Sequence, residues 1–220
     1  MVGINDFRKQ RYTKYVALYK VLLLTLVFLA ALIQTLSAQF AGGDGTDETP
    51  FQVQTVAHLN LIRTNYLGAA HTDVYFEQIA DITLEGNWAP IGTSTTVSFQ
   101  GEYDGAGFEI SNLRTTSAFY TGLFAYTAGS AVLRNMHIRE MVLLGSHQNG
   151  GLVGSTANTN FIDCSVVGTV SANSNHMFGG MAGRATGTTN FTRCWTDVEI
   201  SGVGYYAGGL VGSYESNADC

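Results

Sequence analysis

Asp197 and Glu199 are two carboxylates one residue apart, in the stretch WTDVEI. Alternate residues of a strand share a face at steps of about 6 to 7 Å. Two carboxylates near that separation are the machinery of glycoside hydrolysis, one acting as acid and the other as base or nucleophile. Trp195, Tyr205 and Tyr206 lie close by in the sequence, and flat aromatic rings can stack on sugar rings. Each feature also has a plainer reading. A lone acidic pair serves as a solubilising strand edge, and the three rings can pack beneath a loop.

Other stretches carry less chemistry. Gly202 to Ala207, GVGYYA, matches the dinucleotide fingerprint G-x-G-x-x-A. That fingerprint works only where a strand turns into a helix whose N-terminus holds the pyrophosphate. Here it leads into another glycine-rich strand pattern, so no cofactor is expected. Asp44, Asp47 and Glu48 lie among glycines but lack the spacing of a calcium loop. Residues 39–50 therefore read as a solvated linker. Cys164, Cys194 and Cys220 are odd in number and form no Cys-x-x-Cys pair. Neither a disulfide framework nor a zinc site is expected, and no metal.

The charge pattern separates Met1 to Ala38 from the rest. Arg8, Lys9, Arg11, Lys14 and Lys20 precede an uncharged run, Val21 to Ala38, ending in Leu-Ser-Ala. A basic head, an apolar middle and a small-residue exit describe a secretory signal over residues 1–38. The rival is an uncleaved anchor, because a run of this length sits at the lower limit for crossing a bilayer. Of the 11 Lys and Arg, five lie in this leader, leaving six, all Arg. Of the 17 acids, 16 remain, so the exported part carries a net charge near −10. Nucleic acid and anionic membrane are excluded as partners, since both need a basic face.

The elements that position the candidate residues come from a repeat. Gly122-Leu123, Gly151-Leu152, Gly180-Met181 and Gly209-Leu210 recur at one fixed interval, about 29 residues. Leu133, Phe161 and Phe191 align as a second mark, followed by Asn135, Asp163 and Arg193, then Met136, Cys164 and Cys194. A fixed period of this length means stacked units, none able to bury its apolar face alone. Cys164, Val166, Gly168 and Val170 alternate with Ser165, Val167 and Thr169, the period of a strand with one face inward. Three short strands and three turns use about 29 residues, and coiling them gives an all-β parallel β-helix. Cys164 and Cys194 then stack as free thiols in an inward ladder. The glycines are expected at corners that need positive φ. Arg139 and Glu140 break the alternation, which predicts a bulge. PFQVQTVAHLNLIRTN, Pro50 to Asn65, has the one helical pattern, with Thr49 as cap and Pro50 in the first turn. A short helix there covers the open N-terminal end of the coils.

GGLVG, inside NGGLVGSTANTNFIDCSVVGTV, resembles the GLUG repeat of bacterial surface proteins. ADITLEGNWAPIG, FQGEYDGAGFEISNL and TGLF are similar to the region that precedes such repeats in large bacterial adhesins. They also resemble the part before the protease domain of immunoglobulin-A-cleaving metallopeptidases. The resemblance spans Pro50 to Cys220. It implies a right-handed β-helix on an exported bacterial surface protein. The peptidase activity does not carry over: it needs His-Glu-x-x-His, and His58, His71, His137, His147 and His176 do not form it.

The expected organisation is a signal over 1–38, a linker over 39–50, a cap helix with the first coils over 51–113, and GLUG-type repeats over 114–220. An uncapped last coil exposes strand edges, so downstream domains of the same polypeptide are expected. Two function classes stand. One is a non-catalytic adhesive, scaffolding or spacer module at the cell surface, taking a surface glycan or a host or matrix protein. The other is a carbohydrate-active enzyme, a lyase or hydrolase, using Asp197 and Glu199. The enzyme needs charged residues clustered over adjacent coils of one face. An ice- or polymer-binding threonine face would be a third, but Thr169 aligns with Glu199.

Overall fold

The computed structural model describes residues 14–25, 39–116, 119–145, 147–172, 177–202 and 205–215. The cleavage-like exit Leu36 to Ala38, His176, Val203, Gly204 and Cys220 lie outside them. Residues 14–25 are helical and belong to a unit of their own, residues 1–39. Among the described residues no helix is long and apolar enough to cross a membrane.

From Phe40 onward the chain is a parallel β-solenoid. Its strands stack into four ladders, every pairing parallel. The first ladder holds Phe51–Val53, Tyr75–Gln78, Glu102–Asp104, Val132–Arg134, Asn160–Ile162 and Asn190–Thr192. The second holds Ile82–Thr83, Glu109–Ser111, His137–Gly145, Ser165–Ala172 and Trp195–Gly202, with Arg114–Thr115 also beside His137–Gly145. The third holds Tyr120–Thr121, Gln148–Asn149, Met177–Gly179 and Tyr206–Gly208. The fourth holds Phe124–Thr127, Val153–Ala157, Ala182–Thr186 and Val211–Glu215.

Each regular coil therefore has four strands rather than the expected three. The extra strand arises at GGLVG. Gln148–Asn149 and Val153–Ala157 are separated by only three residues, so the chain folds back on itself there. The third and fourth ladders then lie so close that the last glycine of the motif has no room for a side chain. A Cβ on Gly183 would stand 2.5 Å from Asn149 N, and one on Gly212 2.6 Å from Phe178 N. A two-residue strand is too short to show a period of two, which is why the sequence hides it.

The repeat glycines also differ from their expected role. Of Gly122, Gly151, Gly180 and Gly209, only Gly122 has a positive φ, 149°. Space is what most of them supply. The backbones stack directly, Leu123 N donating to Gly151 O at 3.1 Å and Gly151 N to Gly180 O at 2.9 Å. A Cβ on Gly151 would meet Gly180 O at 2.7 Å. The left-handed corners fall instead on Asn135, Asp163 and Arg193, at φ 51°, 54° and 52°. Asn and Asp tolerate that region because their short polar side chains bond locally. The bulge predicted at Arg139 and Glu140 is present: the register shifts between Ile138 and Met141, and Glu140 has φ 52°.

The N-terminal end departs from expectation in two places. The helix runs from Val56 to Asn65, capped by Thr55, whose hydroxyl accepts from His58 N. Phe51–Val53 is not its first turn but an edge strand of the first ladder. Residues 40–50, expected as a linker, are tied down. Ala41 N donates to Gln52 O at 3.0 Å, and Phe40 stacks on Phe51 at 4.6 Å. Apolar periodicity could not show this, because one half-buried ring anchors an otherwise small, polar stretch. Leu59 and Ile62 bury the helix stripe. Phe76, Phe99, Tyr103, Phe124 and Phe161 continue the core along the axis, all within 1% of full burial. Each such side chain contributes roughly 1.5–3 kcal/mol relative to exposure.

Candidate functional site

Strand Trp195–Gly202 alternates as the sequence predicts. Trp195, Asp197 and Glu199 are exposed, while Thr196, Val198 and Ile200 are half-buried. The three candidate residues thus share the outer face of the second ladder. Asp197 stacks on Val167 and Glu199 on Thr169, so the acidic pair does not extend onto the neighbouring coil. Tyr205 and Tyr206 are 73% and 54% exposed, beside or within the third ladder, where Tyr206 pairs with Met177. Neither tyrosine makes a ring contact with Trp195 among the described residues. The structure gathers Trp195, Asp197 and Glu199 and leaves the tyrosines on a different face.

The residues that do meet Trp195 come from earlier coils. Glu109, His137, Ser165 and Trp195 form one row across four coils, each in register with the next. Arg139, two residues along from His137, binds the row together. Its Nε lies 3.2 Å from Glu109 Oε1, and an Nη donates to Ser165 Oγ at 3.0 Å. Its guanidinium sits 5.6 Å from the centre of the Trp195 ring. A cation held against an aromatic face pins the ring and leaves it 51% exposed.

A buried hydroxyl ties the histidine to the arginine. Ser165 Oγ, only 1% of the residue exposed, accepts from Arg139 and lies 2.8 Å from His137 Nδ1. Burial, and secondarily Arg139, lower the His137 pKa below the usual value. The imidazole is neutral at pH 7. Ser165 itself is out of reach of solvent.

Sequence reasoning did not find Glu109, His137, Arg139 and Ser165. Ser165 reads as an ordinary outward residue, and its burial beside His137 and Arg139 exists only once coils are stacked. The signal that could have found it is the column Met136, Cys164, Cys194, since His137, Ser165 and Trp195 each follow one of these.

GVGYYA leaves a strand at Gly202 and enters one at Tyr206, and among the described residues no helix follows it. Asp44 Oδ1 accepts from Thr46 N at 3.1 Å and from the hydroxyls of Thr46 and Thr49, closing its own loop. Glu102 and Asp104 bind Arg134 from the next coil, at 3.0 and 2.9 Å.

No family model matches the chain. A protein of Evansella cellulosilytica named as a Gly-rich membrane protein is 34% identical over 111 residues, covering 46% of this chain. Halomucin of Haloquadratum walsbyi is 28% identical over 214 residues, covering 79% of this chain. The chain spans only 12% and 2% of the length of these two relatives. Among solved structures, a Bacteroides ovatus protein designated an immunoglobulin A1 protease matches with a TM-score of 0.50 and 18% identity. That match covers 82% of this chain and 66% of the other, and it bears on the fold alone.

Proposed function

We propose that this chain is a non-catalytic β-solenoid module of an exported cell-surface protein, with an adhesive or scaffolding role. On this reading residues 1–38 are its secretory signal and the GGLVG coils are GLUG-type repeats. The relative named as a membrane protein supports a surface setting, and the great length of both relatives supports further domains on the same polypeptide. The observation that carries the reading is Trp195: half exposed, pinned by Arg139, and followed on the same face by Asp197 and Glu199. An indole platform flanked by hydrogen-bond acceptors suits a neutral glycan or the polar surface of a matrix protein. Stacking of the two acids on the uncharged Val167 and Thr169 favours binding over hydrolysis, because the acidic pair is not extended onto the preceding coil.

The test is an array of glycans and matrix proteins probed with the full chain and with Trp195→Ala. Binding by the parent, lost in the variant, without release of reducing or unsaturated sugar, is the expected result. Sugar release abolished by Asp197→Asn or Glu199→Gln would replace this reading with the enzyme.

A further inference from the structure

Cys164 and Cys194 close the same corner of successive coils. Each follows a left-handed residue, Asp163 or Arg193, and each leads into a strand of the second ladder. Those strands, Ser165–Ala172 and Trp195–Gly202, run in register over their whole length. Trp195 N donates to Cys164 O at 3.1 Å, which locks the two corners together. Three residues upstream, Phe161 and Phe191 stack at 4.7 Å with their planes 9° apart, so the coils do not slip here.

Both thiols are free and stand at the same corner of stacked coils. Their settings differ. Cys164 is fully buried, and its Sγ lies 3.3 Å from each of the carbonyl oxygens of Leu133 and Ile162, which can share its one proton. Cys194 is half-buried and open to small solutes. Neighbouring strands of a parallel ladder hold paired Cα atoms about 4.8 Å apart. That lies inside the range of about 4.4 to 6.8 Å that a disulfide accepts.

We propose that Cys164 and Cys194 are a dithiol that a low-molecular-weight disulfide oxidises to an inter-coil staple, Cys194 attacking and Cys164 resolving. The Cys194 thiolate attacks one sulfur of the small disulfide, forming a mixed disulfide and releasing one small thiol. The Cys164 sulfur, losing its proton, then attacks Cys194 Sγ and releases the second small thiol. Two protein thiols are oxidised, one small disulfide is reduced to two thiols, and the balance closes. The order follows from access. The neighbouring thiol lowers the Cys194 pKa, and the same neighbour together with burial raises that of Cys164. The staple ties the coil bearing Trp195 to the coil bearing Ser165 and closes a loop of roughly 30 residues. It does not depend on the proposed binding role.

The experiment uses the full chain carrying Cys220→Ser, so that two thiols remain. The protein is incubated at pH 8 with oxidised glutathione, then unfolded for thiol counting and mapped as peptides without reduction. We expect no free thiol, an intramolecular Cys164–Cys194 peptide link, and a Tm raised by about 5–10 °C. Adding Cys164→Ser should trap glutathione on Cys194. Adding Cys194→Ser should leave Cys164 unmodified in the native state. Two free thiols after prolonged oxidation would overturn the proposal. So would glutathione retained on Cys194 while Cys164 stays free, links formed only between molecules, or a staple that leaves Tm unchanged.

Discussion

Asp163 and Arg193 stand at the same corner of successive coils, both in left-handed backbone, and join carboxylate to guanidinium through two hydrogen bonds of 2.6 Å. The pair holds Arg193 in a conformation that an unbranched L-residue otherwise avoids. Arg193→Gly should therefore lose the ion pair but relieve the backbone, while Arg193→Ala loses the pair and keeps the strain. Thermal melts should rank Arg193→Gly above Arg193→Ala. The gap between parent and Arg193→Gly should narrow in 1 M salt, because the pair is exposed. Equal melts for Gly and Ala would mean that backbone conformation is not what this corner costs.

The stacked glycines should resist substitution. A Cβ on Gly180 would run into the Gly209 carbonyl and stand 2.9 Å from the Thr196 side chain, and one on Gly151 would meet the Gly180 carbonyl at 2.7 Å. Gly151→Ala and Gly180→Ala should each cost at least about 2 kcal/mol, the scale of an overpacked core. Denaturant unfolding of the two variants measures that cost. A near-neutral effect in both would show that the motif acts through something other than stacking space.

Protonating His137 should loosen the row that carries Trp195. Its pKa is lowered in the folded chain, so the unfolded chain binds the proton first. Stability is thus complete above the unfolded value of about 6.5 and declines as pH falls below it through the lower folded value. The charged groups facing the ring are Arg139 on its own strand and Glu109 on the preceding coil, with Ser165 on the following one. A second cation beside Arg139 opposes the hydrogen bond to Ser165. Melting followed from pH 7.5 to 5 should fall more steeply for the parent than for His137→Gln, and identical slopes would refute the role.

The two tryptophans should report separately. Trp88 is buried, with its indole N donating to Leu123 O at 2.9 Å, and Trp195 is half exposed. Iodide should quench Trp195 alone, and Trp195→Phe should abolish most of the quenching. A glycan seated on the platform should protect the indole from iodide. Quenching that persists in Trp195→Phe would show that Trp88 is open to solvent.

Much of the fold was legible in the residues themselves. The fixed interval of the Gly-Leu pairs, the column Leu133, Phe161, Phe191 and the alternation after Cys164 all reflect packing against a near-identical neighbour. Such packing imposes the same residue type at the same place in every coil. The helix was legible in type but not in its start, because Phe51 and Val53 are as apolar as Leu59 and Ile62. Only pairing with Tyr75–Gln78 makes them a strand. The face of Trp195, Asp197 and Glu199 was legible from alternation alone.

What the sequence by itself determined is the repeating unit: its length, its inward apolar column and the outward direction of its polar strand residues. These depend on neighbours in the chain and on copies one period away. The tertiary structure decided which outward residues meet. The step along the chain from His137 to Ser165 is shorter than the glycine interval, and the step from Ser165 to Trp195 is longer. Corners absorb those differences, and the bulge at Arg139 and Glu140 shifts the register within one strand. Glu109, Ser165 and Trp195, from three coils, meet around Arg139 on a fourth only after those shifts are taken up. Their positions depend on local backbone strain and hydrogen bonding that a one-dimensional period averages away.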